Sequence, residues 1–277
     1  MADREMDFFE HLEELRVRLI RCILYAAIGM AVAWRYAQPI MDLLLHPVKP
    51  AVMEHGGRIV YTHLLEPFMM QIQVALVGGL VLAAAPILWE IWAFVAPGLL
   101  PHERRYVLYT LPASILLFFA GVLTAYFALP VAFRFLLQFM SPGTELYQSL
   151  KLYLLFLLRM LLAFGLVYQS PLVLMFLALL EVLSLETLLS KWRHAVFSCF
   201  LIAAIVTPTW DPINMTLLAL PLTLLYGLSL ILVWGVEFFR RRRRAREEVA
   251  LRAEVEAAMA DSPPQEAEVL SSEEDQD

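Results

Sequence analysis

Long apolar runs separated by short polar segments dominate the pattern of this chain. Lipid offers no partner to unpaired backbone N–H and C=O groups, so apolar runs of this length predict helices that enter or cross a membrane. Six such helices are predicted, over residues 20–36, 69–94, 107–129, 153–180, 195–206 and 215–236. The predicted fold is an all-α integral membrane protein with six transmembrane helices.

The fifth apolar segment is too short for an ordinary straight span. Residues 195–206 form a helix of about 18 Å, whereas the hydrocarbon core is about 30 Å thick. We expect short fifth and sixth spans, and either a fifth helix packed inside the protein or a bilayer thinned beside both helices. Kinks that give a curved rather than a parallel bundle are predicted at Pro86, Pro112, Pro171 and Pro221.

The stretch before the first apolar run is amphipathic and charged. FFEHLEELRVRL, residues 8–19, places apolar residues on one face at helical spacing: Phe8, Leu12, Leu15 and Leu19. A second face carries His11, Glu14 and Arg18. We predict an amphipathic helix that lies on the membrane surface, with its arginines anchoring the next span. Anchoring by arginine alone leaves the carboxylates of this stretch without a role.

Composition supports a membrane protein, and the distribution of charge orients it. The chain is 60% hydrophobic and 17% charged, and its net charge of -6 combines a basic segment with an acidic tail. Most of the 21 Lys and Arg residues lie before the first predicted helix, between the second and third, between the fourth and fifth, or after the sixth. The positive-inside rule therefore predicts that both termini are cytoplasmic. We expect a membrane domain over residues 1–239 and a basic-to-acidic, partly disordered cytoplasmic tail over residues 240–277.

The sequence shows no motif of an ATP-driven pump, a membrane protease or a metal enzyme. GxxxxGK[ST], HExxH, GxSxG and paired-cysteine motifs do not occur. Cys22 and Cys199 lie far apart in apolar runs, and the histidines of residues 37–67 lack the spacing of a zinc site, so we expect a structured cap there. We therefore expect no catalytic residue, no cofactor, no bound metal and no nucleic-acid partner.

Carboxylates at the predicted cytoplasmic face are the strongest candidates for a binding site. WEIWAFVAPGLLPHERRYV, residues 89–107, carries Glu90 and Glu103 among aromatic residues and arginines. An interfacial aromatic belt explains most of this segment but not Glu103. If Glu14 and Glu103 lie close together, they form a pair of the kind that binds guanidinium groups in a bidentate manner. The implied ligand is rich in arginine.

Several motifs, in order and at the expected spacing, resemble those of a known family. HLEELRVRL at residues 11–19, WAFVAPGLLPHERR at 92–105, AFG at 163–165 with the following Pro171, and TPTWDPINM at 207–215 are similar to motifs of TatC, the multi-spanning receptor subunit of the twin-arginine protein translocase. The resemblance covers essentially residues 6–239. It implies a multi-pass protein of the inner cell membrane that takes part in protein transport.

The resemblance implies a cytoplasmic site for the consecutive arginines of a signal peptide. Glu14 and Glu103 carry the acidic roles there, Arg16 supports the geometry of the site, and Phe94 belongs to the same surface. The apolar stretch of the signal then enters the concave face of the membrane domain, where Gln169 is the polar residue of the fourth helix. Some family members have a glutamate at this place, whereas a glutamine can form hydrogen bonds but carries no charge.

The resemblance also implies where partner subunits bind. Thr207, Asp211 and Met215 belong to the last outer turn, near which single-span TatA-type and TatB-type subunits dock, and Met215 departs from the glutamine common at that place. Pro47 matches a structural proline of the first outer loop. The implied function is that of a receptor and core subunit, which binds twin-arginine signal peptides of folded cargo proteins, recruits the single-span subunits and associates with further copies of itself in the lipid bilayer.

Two other classes of function remain alternatives. A secondary transporter of a small solute predicts an internal repeat and paired broken helices near the midplane, and the sequence indicates neither. A membrane enzyme requires a nucleophile with a base, or a set of metal ligands, and no convincing set is present.

One charged residue falls inside a predicted span without any counterpart in the family motifs. Arg159 lies about 9 Å into the fourth helix if that helix begins near Tyr153. Snorkelling of the guanidinium to the outer interface is the favoured interpretation. Pairing with a carboxylate on a partner helix is the alternative.

Overall fold

The computed structural model describes residues 2–54, 58–96, 104–139, 147–206 and 212–261. These residues form helices joined by short connections, with one pair of short strands. The helices and strands are α1 (Ala2–Arg35), α2 (Ala37–Leu45), α3 (Lys49–Glu54), β1 (Arg58–Val60), α4 (Glu66–Leu82), α5 (Ala84–Val95), α6 (Arg104–Leu137), β2 (Tyr147–Ser149), α7 (Leu150–Val167), α8 (Ser170–Leu179), α9 (Leu185–Ser190), α10 (Trp192–Val206) and α11 (Pro212–Asp261). The all-α fold predicted from the apolar runs is confirmed.

The amphipathic N-terminal stretch and the first apolar segment form one helix. α1 has 34 residues, about 51 Å of helix, and it passes from residue 19 to residue 20 without a break. The separate surface helix predicted for residues 8–19 is therefore wrong. Residues 8–28 contain neither proline nor glycine, so nothing in the sequence interrupts the helix between the amphipathic part and the apolar part.

Prolines break two of the predicted spans. Because Pro86 and Pro171 lack an N–H group, each leaves the carbonyl four residues earlier without its helical donor. α4 accordingly ends at Leu82, and α5 leaves it at an angle of 51°. α7 ends at Val167, and α8 begins at Ser170. The other two predicted kink sites, Pro112 and Pro221, lie inside the uninterrupted helices α6 and α11.

Four stretches of the described residues are long and apolar enough to cross a membrane: Phe9–Arg35, Thr110–Phe135, Leu150–Leu179 and Leu218–Ala253. The bent pair α4 and α5 adds a fifth if it is counted as one span. The fifth predicted segment corresponds to α10, which has 15 residues, about 22 Å of helix. The prediction that this helix is short is confirmed.

The prediction of a short sixth span is wrong, because the candidate span there, Leu218–Ala253, has 36 residues. α11 has 50 residues, and its apolar half passes directly into a charged half that remains helical. Pairs of oppositely charged residues four positions apart support this continuation, because such pairs are neighbours on a helix surface. Arg241 lies 3.4 Å from Glu237, and Arg252 lies 2.9 Å from Glu248.

α7 lies at the centre of the packed helices. It contacts α4 and α6, and half of the candidate span to which it belongs is buried. α1 and α4 approach each other backbone to backbone at Gly29 and Gly79. A Cβ atom built on Gly79 would overlap the backbone nitrogen of Met30, so this approach requires a residue without a side chain.

The segments between α1 and α4 form the structured cap that the sequence predicts. β1 pairs with β2 in parallel, with Arg58 opposite Tyr147 and Val60 opposite Ser149. The Tyr126 hydroxyl of α6 donates to the carbonyl of Leu43 at 2.9 Å. Pro47 is half-buried between α2 and α3. The opposite end of the packed helices carries the first turns of α1, the end of α5, and α9, and is called the basic end below because the arginine run of α11 begins there.

Candidate functional site

A network of charged side chains joins α1 to α5 at the basic end. The Arg18 guanidinium donates to Glu14 Oε1 from Nη2 at 2.6 Å and from Nε at 3.0 Å. Its remaining nitrogen, Nη1, donates to Glu90 Oε2 at 2.9 Å. The Glu90 side chain is only 5% exposed and has a second, longer ion pair of 3.6 Å with Arg21. A buried carboxylate of this kind is stable only when it is paired, and Arg18 provides the closest partner.

The geometry leaves one oxygen of Glu14 available. Both hydrogen bonds from Arg18 end on Oε1. Within the described part of the chain no hydrogen bond reaches Oε2, and Nδ1 of His11 lies 3.8 Å from it, beyond hydrogen-bond distance. The Glu14 side chain is 32% exposed. Glu14 can therefore accept a further donor from solvent while Arg18 holds the carboxylate in place.

His11 connects this oxygen to an aromatic side chain. The ring of Phe94, on the last turn of α5, stacks on the ring of His11 with centroids 4.4 Å apart and planes 14° apart. His11, Glu14 and Phe94 thus form one continuous surface, called the Glu14 surface here. Glu90 and Phe94 lie one helical turn apart on α5, so the same turn that anchors Arg18 also positions the ring.

Arg16 does not join the Glu14 surface. Its guanidinium lies 3.4 Å from Glu13, and both side chains of this pair are more than 60% exposed. Arg16 and Glu14 are two residues apart and therefore point to different sides of α1. The arginine that contacts Glu14 is Arg18, which follows it by one helical turn. Glu103 lies outside the described residues.

Gln169 is buried, and both ends of its amide are occupied. The Ser114 hydroxyl donates to Gln169 Oε1 at 2.5 Å, and Gln169 Nε2 donates to the Ser114 carbonyl at 3.0 Å. Gln169 is 9% exposed and lies at the junction of α7 and α8. The amide joins α6 to this junction by one hydrogen bond at each end.

The remaining predicted residues fall on different parts of the chain. Thr207 and Asp211 lie outside the described residues. Met215 is half-buried near the start of α11 and packs against the main hydrophobic core. Within the ranges that the structure describes, no three His, Cys, Asp or Glu side chains are grouped as metal ligands.

Two residues of the network were not predicted as site residues, although the sequence carried a signal for each. Arg18 follows Glu14 by four positions on the same helix face, which favours an ion pair. Glu90 is the single charged residue of the apolar segment 69–94. A carboxylate in such a segment requires a partner from another helix.

Comparison with known proteins identifies the family of this chain. Residues 10–221 match the model of the family described as Sec-independent protein translocase protein (TatC). The chain is 38% identical to the Sec-independent protein translocase protein TatC of Carboxydothermus hydrogenoformans over 233 residues, covering 84% of this chain and 94% of the relative. It is 36% identical to the corresponding protein of Aquifex aeolicus over 230 residues, covering 82% of this chain and 94% of the relative.

The fold agrees with these matches. A crystal structure of a twin-arginine translocase receptor, TatC, superposes with a TM-score of 0.71 at 35% sequence identity, covering 80% of this chain and 97% of that one. A second structure of such a receptor, in DDM, gives the same TM-score and identity. Apolar helices, a matching fold and a family match over most of the membrane domain thus agree: the chain belongs to the TatC family of Sec-independent protein translocase proteins, which are membrane proteins of protein transport.

Proposed function

We propose that this chain is the receptor and core subunit of a twin-arginine translocase, and that the Glu14 surface binds the arginines of signal peptides. The observation that carries the proposal is the available oxygen of Glu14. Oε1 is held by Arg18, whereas no hydrogen bond from the described residues reaches Oε2, and the side chain is 32% exposed. Support also comes from the related crystal structure, which is that of a twin-arginine translocase receptor.

The surface suits a guanidinium group better than an ammonium group. A guanidinium presents several N–H donors in one plane and can stack on an aromatic ring while it donates to a carboxylate. Glu14 Oε2 and the Phe94 ring both adjoin His11 and offer these two contacts on one surface. In the proposal, Glu103 adds a second carboxylate for the consecutive arginine, and Arg16 contributes from the neighbouring side of α1.

Arg18 and Glu90 position the binding groups in this proposal. Arg18 neutralises only one oxygen of Glu14 and is itself fixed by the buried Glu90. The carboxylate therefore has a set direction before the ligand arrives, which lowers the entropic cost of binding.

The proposed orientation places both termini in the cytoplasm of the inner membrane. Six spans result if α4 with α5, α7 with α8, and the short α10 each cross once. The basic end, with the arginines of α11, then faces the cytoplasm, as the positive-inside rule favours. Signal peptides of folded cargo proteins reach the Glu14 surface from this side.

On the opposite side we propose the docking place of the single-span subunits. Thr207, Asp211 and Met215 contribute to it, close to α10 and α11. We assign Gln169 the role of holding helices together at the concave face, and not of binding the signal, because both ends of its amide hydrogen-bond to Ser114. Pro47 has a structural role in the cap between α2 and α3.

A secondary transporter remains the alternative. An interrupted helix is one feature expected of it, but the interruptions do not form an equivalent pair in two repeats. One span is bent by 51° at Ala83, and a second is interrupted at the junction of α7 and α8 but still counts as one candidate span, Leu150–Leu179. They are the second and the fourth of the six proposed spans, which are not equivalent places in two three-helix halves. At the second interruption, both ends of the buried Gln169 amide hydrogen-bond to Ser114.

Site-directed crosslinking tests the proposal. A photoreactive residue at position 10, which is exposed and lies one helical turn before Glu14 on α1, leaves both proposed carboxylates in place. The full chain with this residue, in membranes, is challenged with a signal peptide that carries either two arginines or two lysines. We expect strong crosslinks with the arginine pair and at least about tenfold weaker crosslinks with the lysine pair, because lysine lacks the planar fork. Equal crosslinking of both peptides contradicts the proposal.

The matched control compares Glu14→Gln with Glu13→Gln. Both substitutions remove one negative charge from the same turn of α1, but the Glu13 side chain is 64% exposed and pairs with Arg16 instead of Arg18. Glu14→Gln should weaken binding of the arginine peptide, and Glu13→Gln should leave it within about twofold. Equal losses in both variants indicate a general charge effect and not a site at Glu14.

A further inference from the structure

Arg159 carries a charge deep in an otherwise apolar stretch. It lies on α7, within the candidate span Leu150–Leu179. In the sequence, no other charged residue occurs between Lys151 and Glu181. α7 begins at Leu150, earlier than expected, so Arg159 lies about 14 Å along the helix instead of about 9 Å. About 12 Å of helix separate it from Lys151.

The guanidinium has no partner in the part of the chain that the structure describes. Within those residues no ion pair, hydrogen bond or ring contact involves Arg159, and its side chain is exposed. The carboxylates that form ion pairs in this part of the chain do so with cations other than Arg159; Glu14 and Glu90, for example, pair with Arg18. A charge at this depth in lipid is costly unless another group pairs with it.

The face of α7 around Arg159 has the form of a helix-packing seam. α7 buries residues around most of its circumference against the bundle, and the exposed residues form a narrow stripe of Leu152, Arg159 and Leu166. Leu152 is 65% exposed and Leu166 is 72% exposed. The stripe repeats every seven residues, the period at which one helix packs lengthwise along another. Half-buried neighbours on both sides, such as Phe156 and Leu162, limit its width to that of one helix.

We infer that this stripe binds a single transmembrane helix that carries one carboxylate at the level of Arg159. Lipid chains can cover the two leucines, but they offer nothing to a guanidinium at this depth. A carboxylate on an apolar helix supplies the opposite charge and two acceptors for the guanidinium fork, and its own cost in lipid falls by the same pairing. The identification of this helix as a recruited single-span subunit rests on the proposed function, whereas the pairing at Arg159 does not.

The competing occupant is a lipid phosphate reached by snorkelling. Side chains on a helix lean toward its N-terminus, here toward Lys151. To reach a phosphate at that end, the guanidinium has to pass over the apolar surface of Phe156 and Leu152. The longer distance from the helix start makes this less favourable than the sequence had suggested.

The test uses a model helix of leucine and alanine with a central Asp, Asn or Leu, inserted with the full-length chain into phosphatidylcholine nanodiscs. Leu166→Cys, in a chain with Cys22→Ala and Cys199→Ala, reports proximity through disulfide formation with a cysteine on the model helix. We expect about tenfold more crosslinking with the Asp helix than with the Leu helix. Arg159→Leu should reduce that ratio to within about twofold. Lys151→Leu, which removes the same charge near the start of α7, should leave the ratio unchanged.

Charge reversal provides an independent variant. In the Arg159→Glu variant, crosslinking to the Asp helix should fall, and crosslinking to a model helix with a central Lys should rise instead. The inference is overturned if the Asp and Leu helices crosslink equally. It is also overturned if the Asp preference survives Arg159→Leu, or if Arg159→Leu changes only the amount of anionic lipid that the chain retains from membranes containing phosphatidylglycerol. That last outcome identifies a snorkelling arginine.

Signal-peptide crosslinking at position 10, measured in the same nanodiscs, separates this inference from the proposed function. If signal-peptide crosslinking is the same with arginines and with lysines, while crosslinking of the Asp helix still requires Arg159, the receptor proposal fails and the pairing stands. If the signal crosslinks require the arginine pair while the model helices show no preference, the receptor proposal stands and the pairing fails.

Discussion

The ion pair between Arg18 and Glu90 should contribute far more to stability than the neighbouring pair between Arg16 and Glu13. The two pairs differ in burial: Glu90 is 5% and Arg18 20% exposed, whereas Glu13 is 64% and Arg16 71% exposed. A double-mutant cycle on each pair, with glutamine in place of each charged residue, isolates the coupling energy between the partners.

The structure gives a magnitude for each cycle. Two unit charges 2.9 Å apart attract by about 6 kcal/mol at an effective dielectric constant of about 20. Water around the partly exposed Arg18 screens part of this attraction, and glutamine can still form hydrogen bonds in the single variants, so we expect a coupling energy of about 2–3 kcal/mol between Arg18 and Glu90. The exposed pair at 3.4 Å should couple by less than about 0.5 kcal/mol, because water screens it and two long side chains lose freedom.

Reversible unfolding in mixed micelles, with helix content followed by circular dichroism, gives the free energy of unfolding for each variant. Arg18→Gln should cause the largest single loss, about 3 kcal/mol, because it leaves Glu90 buried with only the more distant Arg21. Glu90→Gln should cost less, since Arg18 keeps its two hydrogen bonds to Glu14. Equal coupling energies in the two cycles refute the assignment of Glu90 as a buried anchor.

Two further substitutions test the packing of the spans. Gly79→Ala should lower the free energy of unfolding by about 1–3 kcal/mol, since the new methyl group meets the backbone of α1. The control is Gly227→Ala, where no atom lies within 4 Å of the new Cβ. Equal losses of stability in the two variants exclude a close approach of α1 and α4. Gln169→Glu should lower the free energy of unfolding by about 1–3 kcal/mol, because a carboxylate cannot donate to the Ser114 carbonyl. An unchanged unfolding midpoint in the same assay contradicts the hydrogen-bonded role of the amide.

Local patterns were sufficient to predict the helices and one face of the binding surface. The apolar runs gave the main helical segments, and helical spacing placed His11, Glu14 and Arg18 on one face of α1, where the structure brings the first two beside Phe94. The contact between Arg18 and Glu90 joins residues that are 72 positions apart. Periodicity within one helix carries no information about such a partner.

Only two of the four prolines at which kinks were predicted lie at an interruption of a helix. Pro86 and Pro171 follow interruptions, whereas Pro112 and Pro221 lie in continuous helices. A helix can tolerate the missing hydrogen bond when packing on both sides holds its axis, and packing is a property of the assembled bundle. Hydropathy likewise marks only part of α11, because the apolar run ends near residue 236 and the helix continues to Asp261.

The parallel pairing of β1 with β2 has a consequence for biosynthesis. α4, α5 and α6 all lie between the two strands in the chain, so β1 emerges from the ribosome long before its partner exists. In the proposed arrangement of six spans, two passages through the lipid must be complete before the strands can meet on the same side. Pairing of such distant segments is slow because of the entropy of closing the loop. Formation of this small sheet therefore marks a late stage of assembly, at which the first three proposed spans have already been inserted in a consistent orientation.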